Sequence, residues 1–215
     1  MRDVAVLLFF MAVSVAAFRR PFYGALLWVL FGLMNPHRMT FGFAYSLPFA
    51  QMAVIVTVLA AFAHRNEVRW PRGAPIALLL AFIVWMGLTT FVAIVPEPSM
   101  NKYIDVLKVL GMTLVVATLI RTREEIMGLV WVIVLSMGYF GTKGGLFTIS
   151  TGGGFRVWGP PNSLVEGNNE LAVALIMTIP LIYFLATNAG VARDFRPVLR
   201  LSDRVIRLGC YLGVV

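Results

Sequence analysis

The sequence predicts an all-α fold, a polytopic bundle of transmembrane helices. Of its 215 residues, 60% are hydrophobic and 13% are charged, whereas soluble domains contain about 45–50% apolar and about 25% charged residues. The apolar residues form runs long enough to cross a bilayer, and Lys and Arg cluster between those runs, as in membrane proteins. The net charge of +8 therefore indicates membrane topology and argues against a nucleic-acid partner.

Nearly uncharged runs predict the individual spans, since a membrane helix needs about 20 mostly apolar residues. Seven runs lie at about 4–18, 21–35, 46–63, 74–95, 103–120, 126–142 and 170–187, and an eighth begins near Val205. The eighth run stops halfway, and half a span cannot satisfy its backbone in lipid. We therefore expect residues 1–215 to form one N-terminal membrane domain of about 7–8 spans, truncated from a longer protein.

The first and fifth runs contain features that bear on whether and how they span. The first has small residues near its end, like a signal peptide, but Arg19 and Arg20 follow at once and favour a retained helix. The fifth contains Asp105 and Lys108 near its predicted start. Their i,i+3 spacing allows the two charges to neutralise one another.

The distribution of Lys and Arg predicts the orientation of the bundle. Alternate connections hold 12 of these residues on one side, in clusters that begin at Arg19, Arg65, Arg121 and Arg193, and 5 on the other side. The side with 12 should be cytoplasmic. The outward side then carries the N-terminus and the connections 35–45, 95–102 and 143–169. If the first two runs do not both span, the N-terminus lies inside and the later connections keep their sides.

The last outward connection includes "GGGFRVWGPPNSLVEGNNELA", residues 152–172. Ser163 and Glu166 have the spacing of a capping box, Asn168 or Asn169 can cap the next helix, and Glu170 suits its first turn. Asn162 follows two prolines and is a typical turn residue. Most of this half of the connection therefore reads as the start of a helix.

Arg156 needs a separate interpretation. It lies between Phe155 and Trp158 on the side that holds few positive charges. A guanidinium at the headgroup level can bind a diphosphate with two hydrogen bonds, or it can serve as an interfacial anchor. Lys143 can assist as a point charge, although its position is more typical of a snorkelling flank. The residues alone leave both alternatives open.

"NPHRMTFG" (35–42) brings His37 and Arg38 to the same side. This pair is suited to proton transfer and anion binding, but a lone His in such a turn is more often solvated. No metal site is predicted, because Cys210 is the only cysteine and the two histidines lack ligands at suitable spacing. No cofactor and no catalytic base is identified.

Two stretches carry a resemblance to a known family. They are "RRPFYGALLWVLFGLMNPHRMTFGFAYSLPFAQ" and "GTKGGLFTISTGGGFRVWGPPNSLVEGNNELA". Over residues 18–187 the chain resembles the N-terminal half of the O-glycosylation ligases associated with exosortase systems, a branch of the O-antigen ligase/polymerase superfamily. The resemblance implies a bacterial inner-membrane glycosyltransferase of about 10–14 spans that works without a metal ion.

Such an enzyme moves a glycan from a polyprenyl-diphosphate carrier to an acceptor hydroxyl on protein or lipid, at the periplasmic face. The resemblance implies donor-binding roles for Arg156, Asn162 and Asn169, with Gly159 in the same pattern, and we add Lys143 and Arg38 as further candidates. The family's histidine in a later large loop has no counterpart here, and His37 does not occupy its position. We expect the fragment alone to be inactive.

Two alternatives come from other functional classes. A transporter or flippase of lipid-linked glycans would carry charged or broken positions deep in several spans, whereas here Asp105 and Lys108 are expected near the end of one span. A non-catalytic accessory membrane protein of an export system is the second alternative. The residues do not distinguish a ligase from a polymerase.

Overall fold

The computed structural model describes residues 2–187, except 69, 162 and 164. Within these residues the protein is all-helical, with seven α-helices, three short 3-10 helices and no strand. The α-helices are α1 (Arg2–Ala17), α2 (Pro21–Leu33), α3 (Phe49–Ala63), α4 (Ala74–Phe91), α5 (Pro96–Leu119), α6 (Arg123–Ser150) and α7 (Asn168–Thr187). The 3-10 helices are Pro36–Met39, Phe43–Ser46 and Arg65–Glu67. The all-α prediction is confirmed, and the run predicted near Val205 lies outside the described residues.

Three helices in the described part of the chain are long and apolar enough to cross a membrane, namely α4, α6 and α7. This is fewer than the seven or eight predicted spans. Helices α2 and α3 are apolar but have only 13 and 15 residues, so α2 rises about 20 Å against a hydrocarbon core of about 30 Å. The three candidate spans are compatible with a membrane protein.

Helix α2 is the centre of the bundle. It packs against α1, α3, α5 and α6, while α4 packs on α5 and α7 packs on α6. Gly24 lets three helices approach closely, because a Cβ there would lie 2.8 Å from Thr57 Oγ1 and 3.3 Å from Ala17 Cβ. Small residues at such crossings are typical of membrane helix pairs.

Helix α1 is part of the core of the protein. The ring of Phe10 packs edge-on against the rings of Phe31 and Phe49, with centroids 5.4 and 5.0 Å apart. All three side chains are buried. Removing α1 would expose this cluster, so α1 contributes directly to the core.

Three buried hydroxyl groups are satisfied within their own helices, whereas the buried hydroxyl of Ser14 in α1 has no hydrogen-bond partner among the described residues. Thr57, Ser136 and Thr178 each donate to the carbonyl four residues earlier, at 2.6–2.7 Å. In apolar surroundings no water is available to accept these hydrogen bonds. The pattern suits helices that lie in lipid or in a dry core.

The connections gather at two ends of the bundle. At one end, called the Asp3 end, Leu33, Met39, Val157 and Leu171 pack on one cluster with Phe140. At the opposite end, called the Arg19 end, the end of α3 and the end of α5 pack near the start of α2. The Asp3 end therefore contains the connections 34–48, 92–95 and 151–167, and the Arg19 end contains 18–20, 64–73 and 120–122. This alternation is the one that the apolar runs predicted.

Both ends of α6 differ from the predicted run 126–142. Helix α6 continues to Ser150, so Lys143 lies within it and the connection covers 151–167 instead of 143–169. A capping box starts this helix: Thr122 Oγ1 accepts from the Glu125 N–H at 3.2 Å, and the Glu125 carboxylate accepts from the Thr122 N–H at 3.0 Å. The capping box of the chain's described part is thus at Thr122 and not at Ser163.

Candidate functional site at the Asp3 end

The connection 34–48 is a folded cap held by a carboxylate. Asp3 Oδ1, at the start of α1, accepts hydrogen bonds from the Gly42 N–H at 3.1 Å and the Ala44 N–H at 3.2 Å. A Cβ on Gly42 would lie 2.7 Å from the same oxygen, so a larger residue would have to displace the carboxylate. Burial raises the pKa of Asp3, but hydrogen bonds from Ala44, Asp3 itself, Thr40 and Gly42 lower it overall. The carboxylate therefore stays ionised and keeps the cap in place.

His37 is buried under this cap. Its side chain is 4% exposed, and its ring stacks on Phe31 at 5.9 Å and lies 5.3 Å from the Phe49 ring. Burial, and secondly the charge of Arg38, lower the pKa of His37 to about 4. The expectation of a solvated histidine was wrong, because the two 3-10 helices fold the turn back onto the aromatic cluster. At neutral pH the imidazole is uncharged.

Arg38 points away from this core and is half-buried. Its guanidinium carbon lies 4.9 Å from the centroid of the Tyr45 ring. A cation–π contact of this kind restricts the side chain without neutralising its charge. Arg38 is therefore a positioned cation that can still attract an anion.

Arg156 lies in an extended segment that runs beside the last turns of α6. The segment is attached on both sides of Arg156: the Phe155 ring lies 6.4 Å from the Phe147 ring, and Val157 packs on Gly144. A Cβ on Gly144 would lie 2.8 Å from Val157 Cγ1, so α6 offers a notch at this point. The side chain of Arg156 is exposed between these two contacts.

The second half of the connection is a closed turn. The Gly159 N–H donates to the Glu166 carbonyl at 2.9 Å, and a Cβ on Gly159 would overlap the Val165 carbonyl oxygen. The Ser163 hydroxyl donates to the Pro160 carbonyl at 2.7 Å and accepts from the Val165 N–H at 3.2 Å. The predicted Ser163–Glu166 capping box was wrong, because both residues close this turn and α7 begins only at Asn168.

The remaining predicted residues lie at the start of α7. Glu170 is in its first turn, as expected. Asn169 is exposed and lines an open groove of about 480 Å³. The groove is otherwise lined by Val165, Glu170, Val173, Ala174 and Met177. The predicted site residue Asn162 lies outside the described residues.

Three of the predicted cations are next in sequence to residues at or beside one apolar cluster. Met39 and Val157 both pack on it, and Val157 also contacts Gly144. Each of these residues is next in sequence to Arg38, Arg156 or Lys143, and consecutive Cα atoms are about 3.8 Å apart. The backbone positions of the three cations therefore lie near the edge of the same cluster.

None of these three cations has a carboxylate partner in the part of the chain that the structure describes, where the ion pair found joins Lys108 and Asp105. Unpaired positive charges on one surface favour an anion. Among the described residues, no group of three His, Cys, Asp or Glu side chains is placed to hold a metal ion. The chemistry available here is electrostatic binding of an anion by guanidinium and ammonium groups.

Asp3 was not among the predicted site residues, although it places the cap that carries Arg38. It is 39 residues from Gly42 in sequence, and no local pattern connects the two. A single carboxylate at the start of an apolar helix reads as a favourable first-turn charge. Its second role, accepting hydrogen bonds from the cap, is seen only in the folded structure.

A comparison with known proteins finds no match among the curated proteins and none among the solved structures. Residues 1–190 match the family of unknown function DUF5935. This match covers most of the 215 residues. The protein is therefore a member of the DUF5935 family.

Proposed function

We propose that this protein is the donor-binding part of a membrane glycosyltransferase, which moves a glycan from a polyprenyl-diphosphate carrier to an acceptor hydroxyl on protein or lipid. The observation that supports it is that Arg38, Lys143 and Arg156 are each next in sequence to a residue at or beside one apolar cluster, with no carboxylate partner among the described residues. A polyprenyl diphosphate combines an anionic head with an apolar chain. This surface offers both kinds of contact side by side.

The chemistry of the transfer explains why cations are needed. When the glycosidic bond breaks, negative charge develops on the diphosphate that leaves. Guanidinium groups held near lipid, where the dielectric constant is low, stabilise that charge more than they would in water. Arg156 can form two parallel hydrogen bonds to a phosphate, whereas Lys143 contributes a point charge. Their proposed role is donor binding, and no residue is assigned as the catalytic base.

The same proposal includes the membrane arrangement. All seven α-helices cross or enter the bilayer, the Arg19 end faces the cytoplasm and the Asp3 end faces the periplasm of a bacterial inner membrane. The alternation of the connections between the two ends supports it, together with the count of 12 against 5 basic residues. The short helices α1, α2 and α3 are accommodated by local thinning of the bilayer and by packing against one another.

The direct test is binding of undecaprenyl diphosphate to the purified protein in detergent. We expect Arg156→Ala to weaken binding by about tenfold or more, as for the loss of one charged hydrogen-bonded contact. Arg156→Lys should recover only part of the loss, because it keeps the charge but not the two-pronged geometry. Arg65→Ala is the matched control, since Arg65 is exposed at the opposite end.

In cells, both Arg156 variants should abolish glycan transfer by the full-length protein while membrane insertion persists. Normal transfer and unchanged binding in both variants would exclude Arg156 from the donor site. If Arg65→Ala weakens binding as much as Arg156→Ala does, only the overall charge of the protein matters for binding.

A transporter of the same lipid-linked glycan is a second candidate, and one observation favours it. Asp105 and Lys108 form an ion pair in the middle of α5, and not near its end. Charged residues at that depth are typical of transport paths. The two candidates differ in liposomes without an acceptor, where a flippase moves the carrier across the bilayer and a transferase leaves it in place.

A further inference from the structure

The strongest unexplained feature of the protein is the polar stretch of α5. Asp105 and Lys108 are joined by a 3.0 Å contact between Lys108 Nζ and Asp105 Oδ1, and their side chains are 59% and 65% exposed. The sequence placed this pair near a helix start. Helix α5 begins at Pro96 instead, so the pair lies in the middle of a 24-residue helix.

The depth of the pair follows from the packing of α4 on α5. The Tyr103 hydroxyl donates to the Ile83 carbonyl at 3.5 Å, and a Cβ on Gly87 would lie 3.1 Å from the same hydroxyl oxygen. The two helices are antiparallel, so Asp105, about 3 Å further along the axis of α5, lies beside the middle of α4. Helix α4 is an 18-residue candidate span with mean hydropathy 2.1.

The direction of the pair follows from helical periodicity. Asn101, Asp105 and Lys108 continue, at spacings of four and three, the stripe formed by Met112, Val116 and Leu119. Those three apolar side chains are buried, and Val116 and Leu119 pack near Ala25 of α2. Tyr103 faces the opposite side of α5, where α4 lies.

The polar half of the stripe, formed by Asn101, Asp105 and Lys108, therefore lies on the face of α5 that is turned away from α4. The stripe is closed towards the Arg19 end, where its apolar half packs on α2, and exposed towards the Asp3 end, where Asn101 lies. The ion pair thus lies on the face of α5 that packs on α2 nearer the Arg19 end, at a level where its own side chains are exposed. Charged side chains at membrane depth usually face the interior of a bundle or a water-filled cavity.

We infer that Asn101, Asp105 and Lys108 line a water-filled crevice inside the membrane, open at the Asp3 end. Water is the occupant that fits best, because the pair carries no net charge but exposes both a donor and an acceptor. In dry lipid the same exposed pair would lose its hydration with only one contact in return. The inference rests on α4 crossing the membrane, and it does not depend on glycan transfer.

The test is cysteine labelling by a membrane-impermeant maleimide, added to intact cells and, separately, to inverted membrane vesicles, so that the result does not depend on which side the Asp3 end faces. Cys210→Ser provides a background without the natural thiol. Asn101→Cys and Asp105→Cys probe the crevice, while Met100→Cys and Leu107→Cys probe another face of α5 at matching depths. Asn101→Cys leaves the ion pair intact, so a folding defect in Asp105→Cys would not weaken the test.

We expect both crevice cysteines to react at least about tenfold faster than both control cysteines, because maleimide attack needs a hydrated thiolate. Slow reaction at all four positions would overturn the inference and indicate that another helix or lipid covers the stripe. Fast reaction at all four positions would also overturn it, since α5 would then lie in water. Neither result affects the donor-binding assay at Arg156.

Discussion

Gly24 offers the sharpest test of how the bundle is assembled. An added methyl group would lie 2.8 Å from Thr57 Oγ1, 3.1 Å from Thr57 Cα and 3.3 Å from Ala17 Cβ. Ordinary carbon contacts are about 3.5–4.0 Å. Rotation of the Thr57 side chain removes the first contact only, because Thr57 Cα belongs to the backbone. In Gly24→Ala, α3 and α1 must therefore move away from α2.

The expected energy combines two opposing effects. Overpacking of this kind destabilises a protein by about 1–3 kcal/mol, while replacing glycine by alanine inside a helix stabilises it by about 1 kcal/mol. Gly32 lies in the same helix, and a Cβ there meets nothing within 4 Å. Gly32→Ala therefore has only the favourable effect. The difference between the two variants isolates the packing term, about 1–3 kcal/mol.

Thermal unfolding of the two variants in detergent measures this difference. At about 2–4 °C per kcal/mol for a chain of this size, Gly24→Ala should unfold at least about 2 °C below Gly32→Ala. Gly32→Ala should equal or exceed the unchanged protein. If Gly24→Ala is as stable as Gly32→Ala, the close approach of α1, α2 and α3 at Gly24 is wrong.

Three further predictions concern single positions. The folded protein resists protonation of His37, whose pKa is about 4 against about 6.5 when unfolded. The stability that depends on a neutral, buried His37 is therefore fully present above pH 6.5 and decreases towards pH 4, by up to about 3 kcal/mol. His37→Phe should flatten that part of the stability–pH curve measured by thermal unfolding. An unchanged slope would contradict the burial of His37. Thr122→Ala should lower stability by about 1 kcal/mol in the same assay through loss of the cap, whereas equal stability would show that Glu125 alone suffices. Gly159→Ala should speed amide exchange over residues 159–166, measured by mass spectrometry, because its Cβ would overlap a carbonyl oxygen. Gly154→Ala is the control and should leave the exchange unchanged, because its Cβ meets only the Thr151 carbonyl oxygen at 3.6 Å. Equal exchange in the two variants would refute the closed turn.

Local rules predicted the helices well and the polar connections poorly. Apolar runs located all seven described α-helices, because burial of backbone polar groups in lipid or in a dry core demands helices. Polar residues carry weaker signals, since the same residue can cap a helix, close a turn or face solvent. Ser163 had capping spacing but closes a turn, while Thr122 forms the capping box that is present.

The candidate site shows the same division. Arg38, Lys143 and Arg156 were identified as cations on the side with few positive charges, which needs only a count along the chain. That their sequence neighbours lie at or beside one cluster with Phe140 and Leu171 depends on which helices pack together. The burial of His37 depends on aromatic rings from α2 and α3, and a turn of eight residues contains no sign of them.

By itself the sequence determined the helical class, the alternation of the connections between two ends and the positions of the cations, because hydrophobicity and charge act over one turn or one span. Only the tertiary structure decided the attachment of the cap to Asp3, the position of the Asp105–Lys108 pair in the middle of α5, and the closed turn at Gly159. These features depend on contacts between residues distant in sequence or on the space left between helices. A hydrogen bond from Gly42 to Asp3, 39 residues away, exists only once α1 and α2 have packed together.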